Sequence, residues 1–142
     1  MTKKDLHLER LGQVSAFRAL SPAQLQALGR QADTLGVAAG VVLISQGDDG
    51  QECFVLLSGE VSVTVDGTEV AVLGDGAVFG ELALIDPAPR DASVTTLSPV
   101  EVLVINAQRF APLLDEVPQL ARQIMVGLAR RLREADQEQR LS

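Results

Sequence analysis

Val78-Phe79-Gly80-Glu81-Leu82-Ala83-Leu84-Ile85, then Asp86-Pro87-Ala88-Pro89, then Arg90-Asp91-Ala92-Ser93-Val94-Thr95 is the stretch around which the chain can be read. Its chemistry predicts a short helical turn, a stiff loop and a strand. Gly80 and Glu81 open the turn, where backbone amides without intrahelical partners attract anions. Leu82, Leu84 and Ile85 are expected to pin the turn to a core. Pro87 and Pro89 restrict the loop and set how Arg90 enters the strand. The segment from Gly80 to Arg90 therefore gathers an anion-seeking helix start, a carboxylate and a guanidinium. A phosphate suits the amides and the planar fork of Arg90. A sugar hydroxyl suits Glu81, because an ionised carboxylate only accepts hydrogen bonds. The pattern points to a ligand that carries both a phosphate and a ribose hydroxyl.

Before this stretch the pattern is first helical, then extended. Residues 3–13 place Leu6, Leu8 and Leu11 among charges, as in a short helix. Ser21-Pro22-Ala23-Gln24 is a helix start, with Ser21 as cap, Pro at the first position and Gln three residues on. Leu25 and Leu28 give that helix an apolar face, which fades near Ala32. From about Asp33 to Ile105 strands are predicted. Val41 to Ile44 and Phe54 to Leu57 are short apolar runs, separated by a turn at Gly47-Asp48-Asp49-Gly50. Val61, Val63 and Val65 alternate with Ser62, Thr64 and Asp66, as in a half-buried strand. Asp66-Gly67 signals a hairpin, and Val70 to Leu73 returns.

After the stretch, Ser93 to Leu97 and Val100 to Ile105 are two further strands split by Ser98-Pro99. Many short strands with regular turns indicate a barrel or jelly roll. Helical pattern resumes with Asn106 as cap and Phe110, Leu113 and Leu114 as one face. Pro118 opens a last helix, with Leu120, Ile124, Leu128 and Leu132 as a stripe widened by Val117, Ala121 and Met125.

Composition limits the function. The 142 residues make one domain with room for a core, and 46% are hydrophobic. The net charge is −7, from 19 acidic and 12 basic residues, which argues against nucleic-acid binding by the surface at large. The single cysteine, Cys53, cannot form an intrachain disulfide and reads as a buried thiol. No run is long and apolar enough for a membrane span, and no signal segment follows Met1, so a cytoplasmic protein is expected. The one histidine, His7, lies outside the strand region on a polar helix. It leaves no three-histidine metal site and no base within the strands, so an enzymatic role is not expected.

The stretch resembles the phosphate-binding cassette of cyclic-nucleotide-binding domains: Phe-Gly-Glu-Leu/Ile-Ala/Ser-Leu, a spacer, then Pro-Arg-x-Ala-Ser/Thr-Val. Phe79, Gly80, Glu81, Leu82, Ala83, Leu84, Pro89, Arg90, Ala92, Ser93 and Val94 match it. The helix–strand–helix order resembles the same family over nearly the whole chain. So do Gly47 and Gly59, which fall where the family tends to have turn glycines.

The fold this implies is mainly β with flanking helices: a β-roll, or jelly-roll-like double-stranded β-helix, with N-terminal helices and two C-terminal helices. One domain would fill residues 1–142. N-terminal helices occupy 1–32, the roll 33–105 with its cassette at 78–95, and hinge and lid helices 106–142.

The resemblance implies a regulatory domain that binds cyclic AMP, with cyclic GMP the other candidate, and takes no cofactor or metal. Arg90 would meet the cyclic phosphate, Glu81 would accept from the ribose 2′-hydroxyl, and the amides of Gly80 and Leu82 would line the pocket. Phe79, Ala83, Pro89, Asp91, Ala92 and Val94 complete the expected set. Family members cover the base with the last helix; Leu128, Arg131 and Leu132, with Met125, are the residues available here.

The chain departs from the family at two places. Asp91 stands where Ala, Ser or Thr is usual, although a neighbour of Arg90 on a strand points to the opposite face. Ala135-Asp136 stands where gene regulators of the family carry Thr-Ser.

The last helix has two readings, packing on the roll and pairing with a second copy, as in many bacterial relatives. Arg130, Arg131 and Arg133 are expected to form a solvated face beside Glu134 and Asp136. The few polar residues beyond that helix are too few for a helix-turn-helix, so direct DNA binding is not expected. An effector protein or domain would receive the signal. The alternative is a β-roll interaction module that no longer binds nucleotide, suggested by Asp91, the acidic balance and the lack of an aromatic lid.

Overall fold

The computed structural model describes residues 17, 18 and 20–141. The helix expected over residues 3–13, and His7 with it, lies outside the described residues.

Helix α1 (Pro22–Gln31) starts as its sequence dictates. Ser21 Oγ accepts from the Gln24 amide at 3.2 Å, and Gln24 Oε1 accepts from the Ser21 amide at 3.0 Å. Eight strands follow: β1 (Asp33–Val37), β2 (Val42–Ile44), β3 (Glu52–Ser58), β4 (Val61–Val65), β5 (Thr68–Leu73), β6 (Val78–Phe79), β7 (Ser93–Thr96) and β8 (Val100–Asn106). The short α2 (Leu82–Ile85) lies between β6 and β7, and α3 (Ala107–Glu116) and α4 (Pro118–Leu141) close the chain. All pairings are antiparallel, in two four-stranded sheets of order β1-β8-β3-β6 and β2-β7-β4-β5. The expected β-roll with flanking helices is the observed fold.

Two apolar clusters hold the layers together. Ile44, Phe54, Leu56, Val61, Phe79, Val94, Val100 and Val102 fill the space between the sheets. Cys53, Val55, Leu103 and Ile105 face the other way and meet Leu28 of α1, Phe110 and Leu113 of α3, and Leu120 and Ile124 of α4. The sheet containing β3 and β8 is thus covered on both faces, which is why Cys53 to Leu56 is an unbroken apolar run. The hairpin between β4 and β5 turns at Asp66 and Gly67, both left-handed at φ 51° and 80°, as a tight two-residue turn requires. Asn106 caps α3 by accepting from the Arg109 amide at 3.0 Å.

Three local expectations are corrected. Leu82 and Ile85 do not pin α2: they are 37% and 51% exposed, and of the three expected anchors Leu84 packs against the helix-side core. A four-residue helix turns one face inward, and Leu84 takes it. On β4, Ser62 is buried along with Val61, so the alternation is blurred. On α4 the buried stripe runs through Leu120 and Ile124 to half-buried Leu128, but Leu132 is 73% exposed. A strict i+4 repeat drifts by about 40° per step at 3.6 residues per turn. Leu132 has therefore rotated about 120° from Leu120, whereas Arg131 lies within about 20° of it and takes the inward position.

Candidate functional site

Phe79 anchors the start of the cassette. Its ring stacks on Phe54 with centroids 5.3 Å apart and planes 15° from parallel. Gly80 follows with φ 82°, a left-handed conformation that directs the chain into α2. A β-carbon there would lie 2.9 Å from Arg90 Nη1, 3.0 Å from Ile44 Cδ1 and 3.2 Å from the Glu52 carbonyl oxygen. Glycine is thus required by conformation and by space. Glu81 caps α2 through its backbone: its carbonyl accepts from the amides of Leu84 and Ile85 at 3.0 and 3.1 Å.

The Glu81 side chain is directed inward, and the residue is 1% exposed. Oε1 accepts from Arg131 Nη2 at 2.8 Å. Among the described residues, Oε2 is the one buried side-chain nitrogen or oxygen without a hydrogen-bond partner. A buried carboxylate oxygen in this condition costs free energy unless something donates to it.

Arg90 is held at both its backbone and its tip. Its amide donates to the Asp48 carbonyl at 2.7 Å, and its own carbonyl accepts from the Gly47 amide at 2.8 Å. Nη1 donates to the Gly80 carbonyl at 2.7 Å and Nη2 to the Glu52 carbonyl at 2.5 Å. The guanidinium is therefore oriented by main-chain oxygens from the first residue of β3 and from the cassette. Its remaining donors and its charge are left for another acceptor. Asp91 is exposed, Ala92 is half-buried and Val94 belongs to the core between the sheets. A cavity of about 300 Å³ lies beside these residues, lined by Asp49, Gly50, Gln51, Ala83, Pro87, Ala88 and Pro89.

Cys53 lies beneath the site, fully buried. Burial pushes its thiol up to about 12; the Glu81 charge adds to this and Arg90 partly offsets it. The thiol is inert at neutral pH, as expected of a packing residue.

Of the lid candidates, Leu128 packs half-buried against the helix-side core and Leu132 is mostly exposed. Arg131 is not part of a purely solvated face: besides Glu81 it reaches the Val78 carbonyl at 3.4 Å. Sequence reasoning missed the Glu81–Arg131 pair, the Glu52 carbonyl and Gly50. The pair had one available signal, the eleven-residue spacing from Leu120 to Arg131; a carbonyl has none. Among the described residues no cluster of His, Cys, Asp or Glu could hold a metal ion, and no helix is long and apolar enough to cross a membrane.

The family model for the cyclic nucleotide-binding domain matches residues 35–117. The Cyclic AMP receptor protein of Thermus thermophilus is 36% identical over 104 residues, covering 70% of this chain and 48% of that protein. The CRP-like cAMP-activated global transcriptional regulator of Mycobacterium tuberculosis is 28% identical over 130 residues, 88% of this chain and 58% of the relative. The chain thus spans about half the length of these curated relatives. The crystal structure of Thermus thermophilus catabolite activator protein superimposes with a TM-score of 0.76 at 32% identity, covering 89% of this chain and 62% of that one. With the family's pattern matched across more than half its length, the chain belongs to the cyclic nucleotide-binding domain family.

Proposed function

We propose that this chain is a non-enzymatic regulatory domain that binds a cyclic nucleotide, cyclic AMP in first place and cyclic GMP in second, and signals through α4. The observation that carries this reading is Glu81 Oε2, a buried acceptor without a donor inside the cassette. A ribose 2′-hydroxyl supplies the missing donor. Arg90, already oriented by two carbonyls, supplies charge and hydrogen bonds to the cyclic phosphate, joined by the amides at the start of α2. The names of the relatives, a cyclic AMP receptor and a cAMP-activated regulator, support cyclic AMP as the ligand.

Glu81 also connects the site to the output helix. Arg131 on α4 holds Oε1, so a ligand on Oε2 would share one carboxylate with the helix. A ligand that favours one position of α4 through that carboxylate shifts the population toward it. In this reading Arg131 acts on the ribose acceptor rather than covering the base, and Leu128 and Leu132 are left as the lid. Exposed Met125, Val126 and Leu132 on α4 support pairing with a second copy. The remaining length of the relatives leaves room for an effector segment, and a cytoplasmic setting fits. Residues 33–105 would form the sensing roll and 106–142 the hinge and lid.

Calorimetric titration with cyclic AMP and cyclic GMP, on the native chain and on Arg90→Ala, tests the proposal. Binding of at least one at micromolar Kd or tighter, about −8 kcal/mol, and its loss in Arg90→Ala are expected. Silence of both nucleotides at millimolar concentration overturns it in favour of an interaction module.

A further inference from the structure

We infer that Gly50 is a positioning residue for Arg90: the missing side chain at this place lets the guanidinium lie against the loop before β3, and so sets how firmly the chain holds a phosphate. The inference rests on the proposed nucleotide reading for its effect on binding, but its geometry stands apart from any ligand. A β-carbon built on Gly50 would lie 2.5 Å from both Cζ and Nε of Arg90, and 2.7 Å from Cβ of Ala83 on α2. Real atoms do not approach so closely, so one of the partners must move.

The backbone does not explain this glycine. Among the described residues the left-handed glycines are Gly40, Gly47, Gly59, Gly67, Gly76 and Gly80, and Gly50 is not one of them. Its φ lies outside the left-handed region that favours glycine; what is reserved is space, and Arg90 fills it.

The surrounding contacts show why that space matters. Asp49 bridges to Pro89, the Arg90 amide donates to Asp48, the Arg90 carbonyl accepts from Gly47, and Arg90 Nη2 donates to Glu52. Residues 47–52 therefore grip Arg90 at its main chain on one side of Gly50 and at its tip on the other. The atoms a β-carbon displaces are the end of a flexible side chain and one methyl group. The cavity lined by Gly50, Ala83 and Pro89 gives them somewhere to go. The fold survives such a change, while the guanidinium loses its alignment with the carbonyls of Gly80 and Glu52.

The test uses Gly50→Ala and the bulkier Gly50→Val in the whole chain, with two readouts. In the nucleotide-free protein, the Arg90 Nε–H resonance, assigned by its loss in Arg90→Lys, is expected to shift in Gly50→Ala, with the backbone amide spectrum otherwise preserved. In titrations with cyclic AMP, Gly50→Ala is expected to weaken binding about tenfold and Gly50→Val about a hundredfold, as for loosening charge-assisted hydrogen bonds. Combined with Arg90→Lys, Gly50→Ala should add little to the loss already present. A purely structural role would instead cost the same on both backgrounds. An unmoved Nε–H resonance, or additive losses, overturns the inference. If the native chain binds neither nucleotide, the functional proposal fails while the resonance still decides the positioning.

Discussion

Arg131 on α4 donates to Glu81 across 50 residues of sequence at 2.8 Å; its side chain is 47% exposed, and the Glu81 side chain it reaches is 2% exposed. One partner is half in water and the other is sealed, so the two ends of this ion pair respond differently to mutation. Removing Glu81 leaves an arginine that can rehydrate. Removing Arg131 leaves a buried carboxylate with neither oxygen bonded.

Arg131→Ala is therefore expected to destabilise the chain by about 1–3 kcal/mol, the desolvation penalty of an orphaned buried acceptor. Urea unfolding measures it, and hydrogen exchange should show the C-terminal half of α4 opening more often. Unchanged stability and exchange would mean that the pair does not hold α4 to the roll.

The second oxygen of Glu81 predicts discrimination between sugars. The 2′-deoxy form of the cyclic nucleotide cannot donate to Oε2, and its Kd should rise by a factor equivalent to about 1.5–3 kcal/mol, the worth of a hydrogen bond to a charged group. Glu81→Gln should erase most of the difference between the ribose and deoxyribose ligands. Equal affinity of the native chain for both would place the ribose elsewhere.

At Arg90, charge alone is not expected to suffice. Arg90→Ala should weaken nucleotide binding by about 2–4 kcal/mol. Arg90→Lys should recover only part of this, since an ammonium cannot span the carbonyls of Gly80 and Glu52 as the planar fork does. Full recovery in calorimetry would reduce the site to a point charge.

Cys53 predicts a pH dependence of stability. Its thiol is raised from 9.0 to about 12 in the folded chain, so the folded state keeps a proton that the unfolded state gives up. The contribution is complete below pH 9 and is lost as pH rises toward 12, at up to about 1.4 kcal/mol per pH unit. Unfolding curves across that range should fall more steeply for the native chain than for Cys53→Ala. Parallel slopes would show that the thiol titrates normally.

How much of this could be read from the chain alone depended on how far apart the cooperating atoms lie in sequence. The short helix, loop and strand between Phe79 and Val94 were legible because their parts are contiguous and carry distinctive residues. The two-sided burial of β3 was visible as an apolar run. The caps Ser21 and Asn106 were legible because capping is local. The partner of Glu81 was not, since it arrives from the far end of the chain on a helix whose i+4 pattern drew attention to Leu132. Nor were the anchors of Arg90, because a carbonyl such as that of Glu52 looks alike in every residue. Gly50 passed as a turn residue, its steric role being invisible until Arg90 was seen against it.

The sealed position of Cys53 has a practical consequence for anyone wishing to watch α4 move. This is the chain's sole cysteine, and its thiol is both inaccessible and protonated at neutral pH. A second cysteine placed on the exposed side of α4, for instance at Met125, would be the one site open to a fluorophore or spin label. The native background would need no prior editing, so the protein is already suited to conversion into an optical reporter of its own ligand.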